Sequence, residues 1–289
     1  MSLFLILLAA GSSKRLKSDT PKPYQIVNNK TLLEHSLNAF KGIKEIRSTI
    51  IVYNKKHKRY LNSLSLKKVI KITGGQTRQE STFKALKKFK NKNFNKVLIH
   101  DAARPNPPKK MIRNIIFSLK KNIAVIPIIR AADATKRIKK NIIFKNIERN
   151  TLRFAQTPQG FSFNKIYKKH LKKIKVPIDD DASLFTADFE DVISVPGSKK
   201  NIKITDKEDL DIFKSLKVGK IYTGIGFDVH RLVPGRKLFL AGLKINSKIG
   251  TLGHSDGDPV LHSIIDAILG ACKLGDIGEK FSDKNKRFK

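Results

Sequence analysis

The 289-residue sequence predicts an α/β fold: a doubly wound, mostly parallel sheet followed by a shorter α/β block. Three observations predict it. Short apolar runs alternate with longer amphipathic stretches, the pattern of strand–helix–strand units with helices on both faces of a sheet. Three of the apolar runs end in small or polar residues, at Ala9-Ala10-Gly11, Gly74-Gly75 and His100-Asp101. Strand carboxyl ends are where such sheets build their ligand crevice. After Lys217-Val218-Gly219-Lys220 the style of the sequence changes, which divides the chain into residues 1–220 and 221–289.

Taken in order, residues 3–9 form a short apolar run ending in Gly and small residues, which fits a buried first strand. The run lacks the basic start of a signal peptide, and this places the protein in the cytoplasm. Further strands are predicted at 49–53, 69–72, 97–100, 123–128 and 192–195, with helices at 32–40, 78–89, 109–119 and 163–171. Residues 142–147 and 153–156 read as an antiparallel excursion. A closing helix spans 206–216, with Thr205 as its N-cap. In the second block, strands are expected at 223–227 and 238–241 and a helix at 260–271.

The formal charge is +36, from 60 Lys and Arg against 24 Asp and Glu. Residues 1–220 hold 49 of the basic side chains and 17 of the acidic ones. Lysines are scattered in pairs and are not interleaved with aromatics, so they read as a solvated surface and not as a nucleic-acid face. No segment approaches the roughly 18 apolar residues of a membrane span. The single Cys, Cys272, excludes a disulfide framework and a Cys-based zinc module.

The chemistry of the first block gathers at the strand ends. Ala10-Gly11-Ser12-Ser13 is a small-residue turn whose N–H groups can approach a phosphate closely, with Arg15 and Lys22 as cations beside it. It is neither a Walker loop nor a dinucleotide fingerprint. Asp101 suits a Mg²⁺–phosphate complex, a ribose hydroxyl or simply a turn, and Arg104 suits a bidentate anion or a surface pair.

These strings resemble the 2-C-methyl-D-erythritol 4-phosphate cytidylyltransferase family over nearly all of residues 1–220. The carrying motifs are Ala9–Leu16, Pro21–Tyr24, Gly74–Ser81, His100–Pro105, Thr157-Pro158-Gln159, Asp179–Ser183 and Asn201-Ile202-Lys203. The resemblance implies a nucleotidyltransferase-type sheet and transfer of CMP from CTP to methylerythritol phosphate, assisted by Mg²⁺, with release of diphosphate. It implies that Arg15 and Lys22 stabilise the transition state. It also implies that Asp101, Arg104, Arg149, Thr157 and Lys203 hold the acceptor and the metal–phosphate region. Gly74, Gly75 and Ser81 match the cytosine-reading loop, and Ala10, Gly11 and Arg78 are grouped with the substrate-binding residues. Arg149 matches a residue that reaches a neighbouring subunit, so a homodimer is implied. Ser13 departs from the family, standing where a second glycine is common.

In the second block, Asp228 and His230 are two apart, a spacing that faces the same way on extended chain. With His262 from the following helix they make a tripod for Zn²⁺ with an open fourth position. His35, His57, His100 and His170 look incidental beside them. Residues 226–230, 254–258 and 274–278 resemble the N-terminal part of 2-C-methyl-D-erythritol 2,4-cyclodiphosphate synthase, a zinc-binding cyclase that acts as a trimer. By that resemblance Asp228, His230 and His262 are the zinc ligands. His254 and Ser255 make transition-state and substrate contacts, and Asp276 to Gly278 form a substrate loop. The family's later half has no counterpart in the 289 residues. A truncated sequence is therefore expected, with cytidylyltransferase activity and little or no cyclase activity. CTP and methylerythritol phosphate are the expected partners, with neither nucleic acid nor membrane.

Overall fold

A computed structural model describes residues 2–11, 13, 16, 18–172, 178–216, 222–253 and 257–281. The chain divides into two compact units, Met1–Lys217 and Val218–Lys289.

The first unit is built on an eight-stranded sheet. From one edge the order is Arg153–Ala155, Ala124–Arg130, Gln159–Ser162, Lys96–Asp101, Leu3–Ala9, Ile46–Tyr53 and Ile70–Thr73, with Ile193–Pro196 also paired to Ala124–Arg130. Leu3–Ala9 runs parallel to both its neighbours, and Ile46–Tyr53 runs parallel to Ile70–Thr73. Only Arg153–Ala155 and Gln159–Ser162 run against the rest. The mostly parallel sheet expected from the alternating pattern is therefore present.

The first strand is apolar at every position because both of its faces are covered. Phe4, Ile6 and Leu8 pack with Val97, Ile99 and Phe161 against Ala85 and Leu86 of the helix Arg78–Lys88 and against Phe89, its C-cap. Leu3 and Leu5 pack on the other face with Leu98 against Ile112, Ile115 and Leu119 of the helix Lys109–Leu119. Truncating one such leucine to alanine costs about 2–5 kcal/mol. Local chemistry starts the helices. Thr31 and Glu34 close a capping box at Leu32–Ala39, and Thr77 accepts the Glu80 N–H at the head of Arg78–Lys88.

The structure adds two strands and moves one cap. Gln159–Ser162 is a strand that the pattern did not reveal, since its four residues carry one large apolar side chain, Phe161. It enters the sheet because the helix Lys109–Leu119 lies on it. A Cβ at Gly160 would come within 3.0 Å of Ile115 and Leu119 side-chain atoms. The expected excursion at Ile142–Ile147 pairs with Thr135–Lys139, a lysine-rich strand that was also not anticipated. The cap of the closing helix Lys207–Leu216 is Asp206, not Thr205. The Asp206 carboxylate accepts the Asp209 N–H at 3.0 Å, while the Thr205 hydroxyl turns to the Asp209 carboxylate.

In the second unit, Arg231–Pro234 pairs with Ile249–Leu252, and Leu238–Leu240 pairs with Leu243–Ile245. The helices are Pro259–Cys272 and Ile277–Lys280. The strand expected over 223–227 does not form. That segment crosses the helix Pro259–Cys272 so closely that a Cβ at Gly226 would sit 1.7 Å from the Ser263 carbonyl oxygen. Among the described residues, no helix is long and apolar enough to cross a membrane.

Candidate active site and metal centre

A cleft of about 650 Å³ opens at the carboxyl ends of the central strands of the first unit. Ala10, Gly11, Ser13, Lys22, Gly75, Arg78, Ser81, Asp101 and Lys203 all line it, so most of the expected site residues come together. Ser13 holds φ at +58°, a left-handed conformation that glycine adopts freely and that costs another residue about 1 kcal/mol. Its hydroxyl accepts the Lys22 N–H at 2.9 Å, which ties the turn to the lysine. Lys22 Nζ donates to the Thr205 carbonyl at 3.0 Å. Gly74 permits close packing behind the cleft wall, because a Cβ there would meet Ala10 Cβ at 2.5 Å and Ser81 Oγ at 2.8 Å. Ser81 Oγ accepts the Gly75 N–H at 3.0 Å. Arg15 lies outside the described residues.

Asp101 is the one carboxylate lining the cleft among the described residues. Arg78 Nε donates to its Oδ1 at 3.1 Å, and Lys203 Nζ stands 3.3 Å from its Oδ2. Burial alone would raise the Asp101 pKa, but Arg78 and then Lys203 override it and hold the carboxyl well below the usual range. Both oxygens are thus engaged by cations. The described cleft offers no carboxylate cage of the kind that holds a divalent ion by protein ligands alone.

Behind the cleft the structure gives other expected residues internal partners. Thr157 is buried and does not line the cleft. Its Oγ1 accepts the Asp101 N–H at 3.1 Å and pairs with His100 Nδ1 at 2.9 Å. His100 Nε2 faces the Arg104 carbonyl at 2.9 Å. Burial lowers the His100 pKa to about 4, so the ring is neutral at neutral pH, with Nε2–H donating to Arg104 O and Nδ1 accepting from Thr157. His100 is thus a buried organiser and not incidental. Arg104 Nη1 donates to the Asn201 carbonyl at 2.8 Å, fastening the loop that carries Lys203. Arg149 is exposed and outside the cleft of its own chain, with Nη1 3.3 Å from the Ala132 carbonyl.

Sequence reasoning assigned no role to Asp181 and set His170 aside, yet both are fully buried and bonded to each other at 2.9 Å. The available signal was the acidic run Asp179-Asp180-Asp181, which is too polar for a core segment unless it is paired. Asn54 was missed too; its Nδ2 donates to the Ala10 carbonyl at 3.2 Å.

In the second unit, Asp228, His230 and His262 offer ligand atoms that all lie within 4.8 Å of one another. Asp228 Oδ2 is 3.2 Å from His230 Nδ1 and 3.0 Å from His262 Nδ1. His230 Nδ1 is buried and makes no hydrogen bond. A carboxylate and two imidazoles converging around an unsatisfied buried nitrogen fit a divalent transition metal. A Cβ at Gly253 would press on the His230 ring at 2.6 Å, so only glycine fits there. Asp258 fixes the helix one turn before His262, accepting the Val260 and Leu261 N–H groups at 3.1 Å each. One turn after His262, Asp266 accepts the Ile277 N–H at 2.7 Å and anchors the loop of Asp276 and Gly278. His254 and Ser255 lie outside the described residues.

Comparison with known proteins finds two families along the chain. Residues 3–216 match the family model described as IspD: 2-C-methyl-D-erythritol 4-phosphate cytidylyltransferase, and residues 221–289 match the YgbB family. The bifunctional enzyme IspD/IspF of Pelagibacter ubique is 48% identical over 290 residues, covering 100% of this chain and 76% of that protein. The corresponding protein of Paramagnetospirillum magneticum is 34% identical, over 99% of this chain and 76% of its own. Among solved structures, the bifunctional IspDF of Campylobacter jejuni is 31% identical with a TM-score of 0.65, covering 100% of this chain and 75% of that one. The 2-C-methyl-D-erythritol 4-phosphate cytidylyltransferase of Francisella tularensis is 30% identical with a TM-score of 0.65, over 74% of this chain and 99% of its own. On the family match, the full-length relatives and the cleft together, the chain belongs to the 2-C-methyl-D-erythritol 4-phosphate cytidylyltransferase family, in the form joined to a YgbB-family part.

Proposed function

We propose that the first unit transfers CMP from CTP to the phosphate of 2-C-methyl-D-erythritol 4-phosphate, releasing diphosphate, and that residues 1–220 and 221–289 are the two functional units. The observation that carries the reading is the pair Lys22 and Lys203 on one cleft, with Arg78 and the engaged Asp101 behind them. The nucleophile is a phosphate oxygen, already ionised at neutral pH, so the reaction needs no general base. The site agrees: His100 is neutral, and both of its ring nitrogens are occupied. What the reaction does need is positive charge, because two anions must meet and charge grows on the departing diphosphate. Lys22 and Lys203 supply it from the chain's own side chains, and the family resemblance adds Arg15, two residues after Ser13 in sequence. The backbone around Gly74 and Gly75 holds the base, and the Ala10–Gly11 turn takes the phosphates.

Mg²⁺ accompanying the nucleotide would neutralise phosphate charge in this cleft, beside Lys22 and Lys203. In the second unit, Asp228, His230 and His262 would hold Zn²⁺, which would supply polarisation of a diphosphate, and Asp276 and Gly278 belong to the substrate loop. The protein works in the cytoplasm as a homodimer in which Arg149 serves the partner's site. The first unit is tested by incubating the chain with CTP and methylerythritol phosphate and measuring diphosphate release. Release with a sugar phosphate as acceptor, and none with methylerythritol phosphate, would assign a different acceptor.

A further inference from the structure

Asp181 is fully buried and stands 103 residues from its partner Arg78 in sequence. Its Oδ1 pairs with His170 Nε2 at 2.9 Å, and its Oδ2 accepts from Arg78 Nη1 at 2.7 Å. Arg78 Nε reaches Asp101 Oδ1 at 3.1 Å, and Lys203 Nζ lies 3.3 Å from Asp101 Oδ2. Five side chains therefore form one line from the core at His170 to the cleft at Lys203, with acid and base alternating. Stability is a weak reason for such a line. Taking charges out of water is costly, and apolar replacements of buried pairs are often neutral or stabilising. Geometry is a better reason. A guanidinium gripped by carboxylates through Nε and Nη1 has its plane fixed. With Asp101 Oδ1 committed to Arg78, only Oδ2 is left to face Lys203.

We propose that Asp181 is a positioning residue for the nucleotidyl transfer: it locks Arg78, which sets the Asp101 carboxylate and thereby the place of the Lys203 ammonium in the cleft. The proposal rests on the cytidylyl-transfer reading of the same site. Burial by itself would raise the Asp181 pKa, but Arg78 and the His170 bond lower it, so the carboxylate grips Arg78 as an anion.

The test compares the full chain with Asp181→Asn, Arg78→Lys, the double variant and Asp188→Asn, by diphosphate release and by thermal unfolding. Asp188 is the control: it pairs with Lys169 at 2.8 Å and is not one of the five side chains of the line. Asp181→Asn is expected to lower kcat at least tenfold, and Asp188→Asn to leave it within twofold. Because Asp181 acts through Arg78, adding Asp181→Asn to Arg78→Lys should lower kcat by less than a further threefold. A lysine has no fork to span Asp101 and Asp181, so Arg78→Lys is expected to lower kcat too, and if Asp181→Asn does not fold an unaffected rate in Arg78→Lys still overturns the proposal. Wild-type kcat in either single variant, or effects that multiply in the double variant, overturn the proposal and leave Asp181 a stability role. An inactive wild type overturns the functional reading together with it. An active wild type beside an unaffected Asp181→Asn overturns this inference alone.

Discussion

Thr157 Oγ1 lies 3.1 Å from the Asp101 backbone nitrogen and 2.9 Å from His100 Nδ1, so one hydroxyl joins the end of a central strand to a buried imidazole. Removing it while keeping shape, as in Thr157→Val, strands a buried N–H and a buried ring nitrogen. Each such loss costs about 1–3 kcal/mol. Urea unfolding should show a destabilisation of that order, together with reduced kcat, because Asp101 loses its anchor. An unchanged midpoint would mean that the hydroxyl is not an internal strut.

His100 predicts a pH dependence. Its folded pKa is lowered to about 4 by burial, while an unfolded histidine titrates near 6.5. Between these values the unfolded chain binds more protons, so stability rises with pH across the window. The contribution is complete above about 6.5 and is lost as the pH falls to about 4, amounting to about 3 kcal/mol. Urea midpoints measured from pH 4 to 7 should slope upward in the wild type, and the slope should flatten in His100→Gln.

The two cleft lysines should be separable from folding. Lys22→Ala and Lys203→Ala are each expected to lower kcat by about 10²-fold or more, the usual loss when a transition-state charge contact goes. Both side chains are at the cleft, so circular dichroism should be unchanged. Near-normal turnover in both variants would remove the electrostatic account.

The metal triad makes a prediction that does not depend on turnover. Chain stripped with a chelator should bind one Zn²⁺ by calorimetric titration, and the second unit should unfold at a higher temperature with the metal than without it. His262→Ala should abolish both effects. Gly253→Ala should weaken binding at least tenfold by pushing the His230 ring, which a Cβ would meet at 2.6 Å.

Much of the fold was legible in the sequence. Leu3–Ala9 is apolar throughout, and helices such as Lys109–Leu119 repeat their apolar residues at helical spacing, so local periodicity identifies both. The strand-end turns were legible for the same reason. Gln159–Ser162 was not, because a four-residue strand between two others is held by its neighbours and not by its own pattern. The segment over 223–227 failed in the opposite way: its glycines serve a close helix crossing and not a strand.

The succession of strands and helices, the strand-end clusters that line the cleft and the residue types of the metal triad can all be read from the chain before it folds. These depend on local spacing and on which side chains carry charge. Which charges meet is settled by packing. It put Asp181 on Arg78 across 103 residues, gave Asp101 two cations, set His100 and Thr157 behind the cleft and kept Arg149 out of it. Partner choice between distant residues is set by how the sheet and helices pack, and one charged side chain resembles another until that packing exists.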